Sequence, residues 1–443
     1  MENIINIEEV EYPYLSQKVK ILTFKNGHKL VLAHKKSTMI NISTWVKTGS
    51  INENDHNNGV SHFLEHLMFK GTEKYKAGEF DKTLERKGGI INAATWKDYT
   101  FYYVTIPTEH FSLALHMHAD MMTNPLIPDN EIGPTFDIKG EEPKEKRERC
   151  VVIEEIRMGQ DANWRKVYNA LNAIMYEKHP YRRDVIGTKE IIATISRDEI
   201  FRYYKSFYTP SNMTTVIVGD FDDDFAIKSV LDEFKFQDFG EFDRLTPDEQ
   251  IPETKIKNPK TVINKAHINT GFMMYGFLAN PPKNLKETIA LDLLTTILGE
   301  GKSSRLNTNL IENVKEPYVY GVGASHYQLK DGDCFLIDIN FDADKKDEVI
   351  EDVNRELDKL QIIKEEELEK AKKFAKVNFA QESETVSATG ELIGEFMTVF
   401  GNLELAGQYL KMLDEIDVNY ISQIAKTILA KENASISILM PEK

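Results

Sequence analysis

Cysteine is scarce: Cys150 and Cys334 are the only two in 443 residues, far apart and outside any Cys-x-x-Cys spacing. That excludes a disulfide scaffold and a thiolate zinc site, and leaves both as inert, buried or half-buried thiols. Positive charge is also in deficit, with 55 Lys and Arg against 71 Asp and Glu and a formal net charge of -16. A nucleic-acid partner needs clustered cations to displace counterions, so none is expected, and the balance favours cationic substrates. No apolar run approaches the roughly 18 residues needed to span a bilayer, so no membrane partner is expected either. The start, MENIINIEEVEYPYL, has acidic residues where a secretory leader carries a basic region and then an apolar stretch. It reads as the N-terminus of a cytoplasmic protein.

What is present is the composition of a soluble globular chain, 41% hydrophobic and 28% charged, at a length that calls for two or three domains, of which two are expected. The first half opens with the β-like runs KILTFKNGHKLVLAHK and INISTWVKTGS, with Asn26-Gly27 as a turn between apolar stretches. A helix follows from about Val60 to Phe69, then a strand or hairpin in INAATWKDYTFYYVTIP. Helical spacing holds in HFSLALHMHADMMTNP and from Cys150 to Tyr176, and MTTVIVGDF is a final strand. Residues 237–262 lose apolar periodicity and gather Pro, Asp, Glu and Lys, a linker composition. Beyond them the order begins again, with HINTGFMMYGF, ETIALDLLTTILGEG, YVYGVGASHYQL and GDCFLIDINFD. The close of the first half, DEIFRYYKSFYTPSNMTTVIVGD, is echoed by NYISQIAKTILAKENASISILMP. An internal duplication of a unit of about 200 residues is expected.

The chemistry lies in SHFLEHLMFKGT, which holds His62-x-x-Glu65-His66. Residues four apart on a helix share a face, so the two imidazoles can converge on one point about 2 Å from each, as zinc requires. Glu65 borders that face, where a carboxylate can take a proton from an activated water and later deliver it to a leaving amine. The spacing inverts the His-Glu-x-x-His peptidase motif. Its flanks, Phe63, Leu64, Leu67, Met68 and Phe69, point to a buried helix, where two histidines and a glutamate need partners. A catalytic zinc takes a third protein ligand and keeps one position open. RERCVVIEEIRMGQ offers Glu148, Glu154 and Glu155. Glu148 and Glu155 are two turns apart on one face, and Glu154 is rotated about 100° away.

HFLEHLMFKGT, GGIINAATWKDYTFYYV, ERCVVIEE and HPYRRDVIGT, in that order over about residues 20–220, resemble the family that includes pitrilysin, insulin-degrading enzyme and the mitochondrial processing peptidase. The second half resembles that family's divergent second domain. The resemblance implies His62, His66 and Glu155 as zinc ligands, Glu65 as the base and Glu148 as a supporting acid. It also implies that Asn92, Ala93 and Ala94 form an edge strand beside the zinc on which a peptide adds as a further strand, giving affinity with little sequence preference.

Two features depart from the family's pattern. The stretch 131–146, EIGPTFDIKGEEPKEK, lengthens the path from the motif to the distal ligand, which a surface loop allows at little cost. Shorter members also carry an Arg and a Tyr four apart in the second domain. Here, in IENVKEPYVYGVG, Glu316 precedes Tyr320 at that spacing and Lys315 is the nearby cation. Either Lys315 with Tyr320 serves, or a sister chain brings the pair. His116, His118 and His179 are expected to be structural.

The expectation is therefore an α+β protein of two homologous domains, each an antiparallel sheet with helices packed on one side: residues 1–236 with the zinc, a linker at 237–262, and 263–443 without a metal. Its function is that of a zinc endopeptidase acting on peptides or unfolded segments in an enclosed chamber. By resemblance it works as a homodimer or a heterodimer. The rivals are a non-catalytic assembly subunit of the same family and a zinc hydrolase of non-peptide amides.

Overall fold

The computed structural model describes residues 3–141, 143–247 and 250–442. Residue 142 of the stretch 131–146 and residues 248 and 249 of the expected linker lie outside the described residues, as do residues 1, 2 and 443.

Seven strands form the first sheet: β1 (Ile4–Val10), β2 (Val19–Phe24), β3 (Lys29–His34), β4 (Met39–Val46), β5 (Ile90–Thr95), β6 (Thr100–Pro107) and β7 (Met213–Gly219). Their order is β1-β2-β3-β7-β4-β6-β5. The turn between β2 and β3 falls at Asn26-Gly27, where Gly27 takes φ +89 and its N–H bonds Phe24 O at 2.8 Å. The second sheet holds β8 (Thr261–Ala266), β9 (Gly271–Leu278), β10 (Val319–Tyr327), β11 (Cys334–Phe341) and β12 (Ser435–Pro441). From β8 its order is β8-β12-β9-β11-β10, which repeats β3-β7-β4-β6-β5 strand for strand. Each sheet carries one parallel pair at the same place in that order, β3 with β7 and β8 with β12, among otherwise antiparallel neighbours. The duplication seen as pattern in the sequence is thus a duplication of topology.

Two compact units emerge, but they are not the two halves of the chain. The first comprises Met1–Arg157, Asp184–Asp248 and Ala380–Gly407; the second, Met158–Arg183, Glu249–Phe379 and Gln408–Lys443. Relative to a division at 236 and 263, residues 158–183 have moved to the second unit and 380–407 to the first.

The physical reason lies in the sheets, and it corrects the expectation of helices on one side only. Alternate residues of a strand face opposite sides. In β4, Ile40, Ile42 and Val46 enter the main core with Phe63, Leu64 and Leu67, yet Asn41, Ser43 and Trp45 on the other face are buried as well. A sheet buried on both faces needs cover on both. The cover is the helix Val386–Glu395, which packs on β4 and β7. It lies so close that a Cβ on Gly390 would fall 2.5 Å from Asn41 Oδ1, and one on Gly394 1.9 Å from Trp45 Cε2. In the second unit the helix Asn163–Met175 lies on β9 and β12, with Trp164 edge-on to Phe272 at 5.1 Å. Each unit therefore takes a covering helix from the other half of the sequence.

Among the described residues no helix is long and apolar enough to cross a membrane. Cys150 and Cys334 are both buried, and neither is in a disulfide.

Candidate metal centre

The motif helix runs Val60–Met68. Val60, Phe63, Leu64, Leu67 and Met68 form its buried face, and the intervening His62, Glu65 and His66 share a half-buried one. Its start is fixed by a close approach of backbones. Gly59 (φ +97) and Gly187 (φ +77) abut, so that a Cβ on Gly59 would meet Ile186 O at 2.5 Å and one on Gly187 would meet Asn58 O at 2.2 Å. No side chain fits between them, which ties the segment DVIGT to the motif helix.

Facing the motif is the helix Glu148–Asp161. His62 Nε2 lies 3.8 Å from Glu155 Oε1 and His66 Nε2 lies 3.5 Å from Glu155 Oε2. One donor atom from each of His62, His66 and Glu155 falls within 4.8 Å of the others, the only such acidic or histidine cluster of metal-holding geometry among the described residues. Donors about 2 Å from a shared tetrahedral centre sit about 3.4 Å apart, so the spacing and the donor types fit zinc. Glu155 is 45% exposed, leaving that side accessible to solvent.

The neighbouring carboxylates do different work. Glu148 Oε2 lies 3.2 Å from His66 Nδ1, and Lys70 Nζ holds Glu148 Oε1 at 2.6 Å. A carboxylate on Nδ1 keeps the proton there and leaves Nε2 free to ligate. Burial raises the Glu148 carboxyl, but the hydrogen bonds from His66 and Lys70 outweigh it and hold it below the usual range. Burial likewise pulls His66 down, yet Glu148 and Glu155 push the imidazole up to about 9. Glu65 is raised, chiefly by burial, against a hydrogen bond of 2.5 Å from Thr95 Oγ1. A carboxyl raised toward neutrality suits a general base. Glu154 points elsewhere and pairs with Arg157 at 2.7 Å.

β5 is the edge strand of the first sheet, where among the described residues it pairs with β6 alone, and it packs beside the motif helix. Asn92 and Ala94 are exposed and Ala93 is half-buried against the core. Lys315 and Tyr320 belong to the second unit, Lys315 in the turn before β10 and Tyr320 on that strand, both exposed. His116 pairs with Glu233 at 2.7 Å, and buried His118 bonds Thr44 Oγ1 at 2.8 Å. Buried His179 caps a helical turn at Tyr181. Sequence reasoning passed over Lys70 and Thr95. Lys70 carried a signal, since it follows His66 by four residues; Thr95 carried none, because its contact depends on how β5 lies against the helix.

The second repeat carries a buried ion pair on the helix that holds the corresponding place in its order of elements. The helix Leu285–Leu298 lies between β9 and β10 in the chain, as the motif helix lies between β4 and β5. Its Asp292 accepts from His326 Nδ1 of β10 at 2.7 Å, from Gln328 at 3.2 Å and from Tyr409 at 3.3 Å. His326 Nε2 lies 3.3 Å from Asp333, an ionic contact without hydrogen-bond alignment. Burial lowers His326, but the two aspartates push it up to about 10, while burial raises Asp333 despite its partner. Because the folded value exceeds the ordinary 6.5, the stabilisation is complete below about pH 6.5 and is lost as pH rises through about 10. His326→Gln is expected to cost about 3–5 kcal/mol at pH 6, the range for breaking a buried ion pair. Its stability should also fall less steeply than the wild type's from pH 7 to 10. Equal slopes in a pH series of thermal unfolding would contradict this.

Comparison with known proteins bears on the family and the fold. A family model described as insulinase, peptidase family M16, matches residues 29–189. One described as the peptidase M16 inactive domain matches residues 194–374. The chain is 28% identical over 424 residues to "Uncharacterized zinc protease YmxG" of Bacillus subtilis, covering 94% of this chain and 97% of that one. It is 27% identical to "Zinc protease PqqE" of Helicobacter pylori, covering 96% and 93%. A crystal structure of a protease from Helicobacter pylori superposes with a TM-score of 0.86 at 25% identity, covering 96% of this chain and 99% of that one. With both domain models of one family matched in succession, on a fold shared along nearly the whole length, the chain belongs to peptidase family M16, as a short member of bacterial type.

Proposed function

We propose that the chain is a zinc-dependent endopeptidase whose metal is held by His62, His66 and Glu155, with Glu65 as the general base. The observation that carries this reading is the convergence of those three donors beside a buried, Thr95-bonded Glu65. Zinc, when bound, would polarise the scissile carbonyl and an attacking water. Glu65 takes the proton of that water and returns it to the leaving amine, and Thr95 keeps the carboxylate aimed. Glu148 acts through His66, fixing its tautomer, and Lys70 fixes Glu148. The exposed edge at Asn92, Ala93 and Ala94 takes the peptide as an added strand, which orients it by main-chain bonds and leaves sequence preference weak. Lys315 and Tyr320 are the second unit's candidates for steadying substrate. An ammonium lacks the planar fork of a guanidinium, so a sister chain bringing an Arg-Tyr pair would improve on Lys315. Substrates are peptides or unfolded segments admitted to a chamber that two such chains enclose in the cytoplasm.

All the motif residues are retained, which favours an enzyme over an assembly subunit. The test is to purify the chain, measure its zinc and its mass in solution, and assay a mixed peptide library with and without a chelator. Cleavage that chelator abolishes and zinc restores is expected. Stoichiometric zinc without cleavage of any peptide would leave the subunit reading in its place, and cleavage confined to non-peptide amides would leave the other.

A further inference from the structure

We propose that Glu53 is a positioning residue of the metal centre: its buried carboxylate clamps the first turn of the motif helix and so sets where His62 stands. The proposal rests on the zinc reading above. A helix leaves its first N–H groups without intrahelical partners, and the N-cap side chain ordinarily supplies one. Here the N-cap is Gly59, which has no side chain to offer.

Glu53, six residues upstream and 0% exposed, does this work from a distance. Its Oε2 accepts from Gly59 N–H at 2.8 Å and from Asn58 Nδ2 at 2.7 Å. Its Oε1 accepts from Ser61 N–H at 2.9 Å and also from Ser61 Oγ. Asn58 donates in turn to Asp184 O at 2.9 Å, so the same clamp holds the segment that abuts Gly59. A carboxylate buried this deeply is costly unless its lone pairs are filled, and four donors fill them. The helix dipole adds to the hold, since a negative charge is favoured at this end.

The clamp closes on Ser61, the residue directly before His62. His66 meets Glu148 from the facing helix, and the clamp fixes the backbone immediately before His62. Loosening that turn shifts the His62 imidazole relative to His66 and Glu155, whose donors must meet at one centre. A merely structural cap would change stability and leave the metal's surroundings alone.

The experiment compares Glu53→Gln with Ser196→Ala, using the full chain. Ser196 caps the separate helix Arg197–Phe207 by a capping box, and so controls for the loss of a cap as such. In Glu53→Gln the amide can accept from one N–H but turns a donor toward the other. Three quantities are read: zinc affinity by chelator competition, the visible spectrum of the cobalt-substituted protein, and thermal unfolding of the metal-free chain. Expected for Glu53→Gln is a loss of about 10–100-fold in zinc affinity, the range for outer partners of metal ligands, together with a shifted cobalt spectrum. Ser196→Ala should lose stability and keep both metal readouts. Ser61→Ala, which removes one contact and keeps the backbone ones, should move the metal readouts the same way by less, and it decides the matter if Glu53→Gln does not fold. Wild-type affinity and spectrum in Glu53→Gln, or in Ser61→Ala where it stands alone, overturn the proposal while leaving the zinc reading intact. A wild-type chain that binds no zinc overturns both.

Discussion

Glu65→Gln is expected to hold zinc as the wild type does and to lose hydrolysis by about 10²–10⁴-fold, the usual contribution of a general base. The substitution preserves shape. Thr95 donates to Glu65 Oε2 at 2.5 Å, and the carbonyl oxygen of a glutamine can still accept that bond. What the amide lacks is a site to take a proton from water near neutral pH. Glu65 is not one of the converging donors, so removing its charge leaves the metal-binding cluster complete. Zinc content and peptide turnover, measured on one preparation, separate the two effects. A variant as active as the wild type would sink the assignment of the base, and one that has lost its zinc would make Glu65 a ligand.

Glu155→Gln should fail on the other axis. Without the carboxylate, His62 and His66 remain as a two-nitrogen site, and zinc affinity should fall by more than the roughly 10–100-fold that outer partners contribute. Activity goes with it. Glu154→Gln, one residue earlier, should bind zinc normally, because Glu154 turns to Arg157 at 2.7 Å and is not part of the cluster. Titration of both variants with zinc against a competing chelator decides the case, and the reverse order of affinities would mean that the helix had been read in the wrong phase.

That phase was legible because helical geometry is strict. Seven residues make nearly two turns, so Glu148 and Glu155 had to share a face. The motif histidines and their apolar flanks were legible for the same reason, as was the turn at Asn26-Gly27. Other parts hide in contacts that local spacing does not encode. Glu53 lies outside the motif helix and reaches it only because the chain folds back at Asn58 and Gly59. Gly390 and Gly394 look like poor helix residues until Asn41 and Trp45 are seen pressed against them from some 350 residues away in sequence. In β4 the clue was the unbroken burial of INISTWV, which alternating strand logic does not anticipate.

Each half of the sequence, taken alone, has a sheet face it does not cover and a helix with no sheet of its own to lie on. The helix Asn163–Met175 leaves the first half for the second sheet, and Val386–Glu395 returns from the second half to the first. The exchange has the form of a domain swap between two like units carried on one chain. Its consequence is that the peptide between the repeats is not what joins them. Like two hands each holding the other's wrist, the halves stay coupled through what they have exchanged, and a cut in residues 237–260 would divide the polypeptide without dividing the protein.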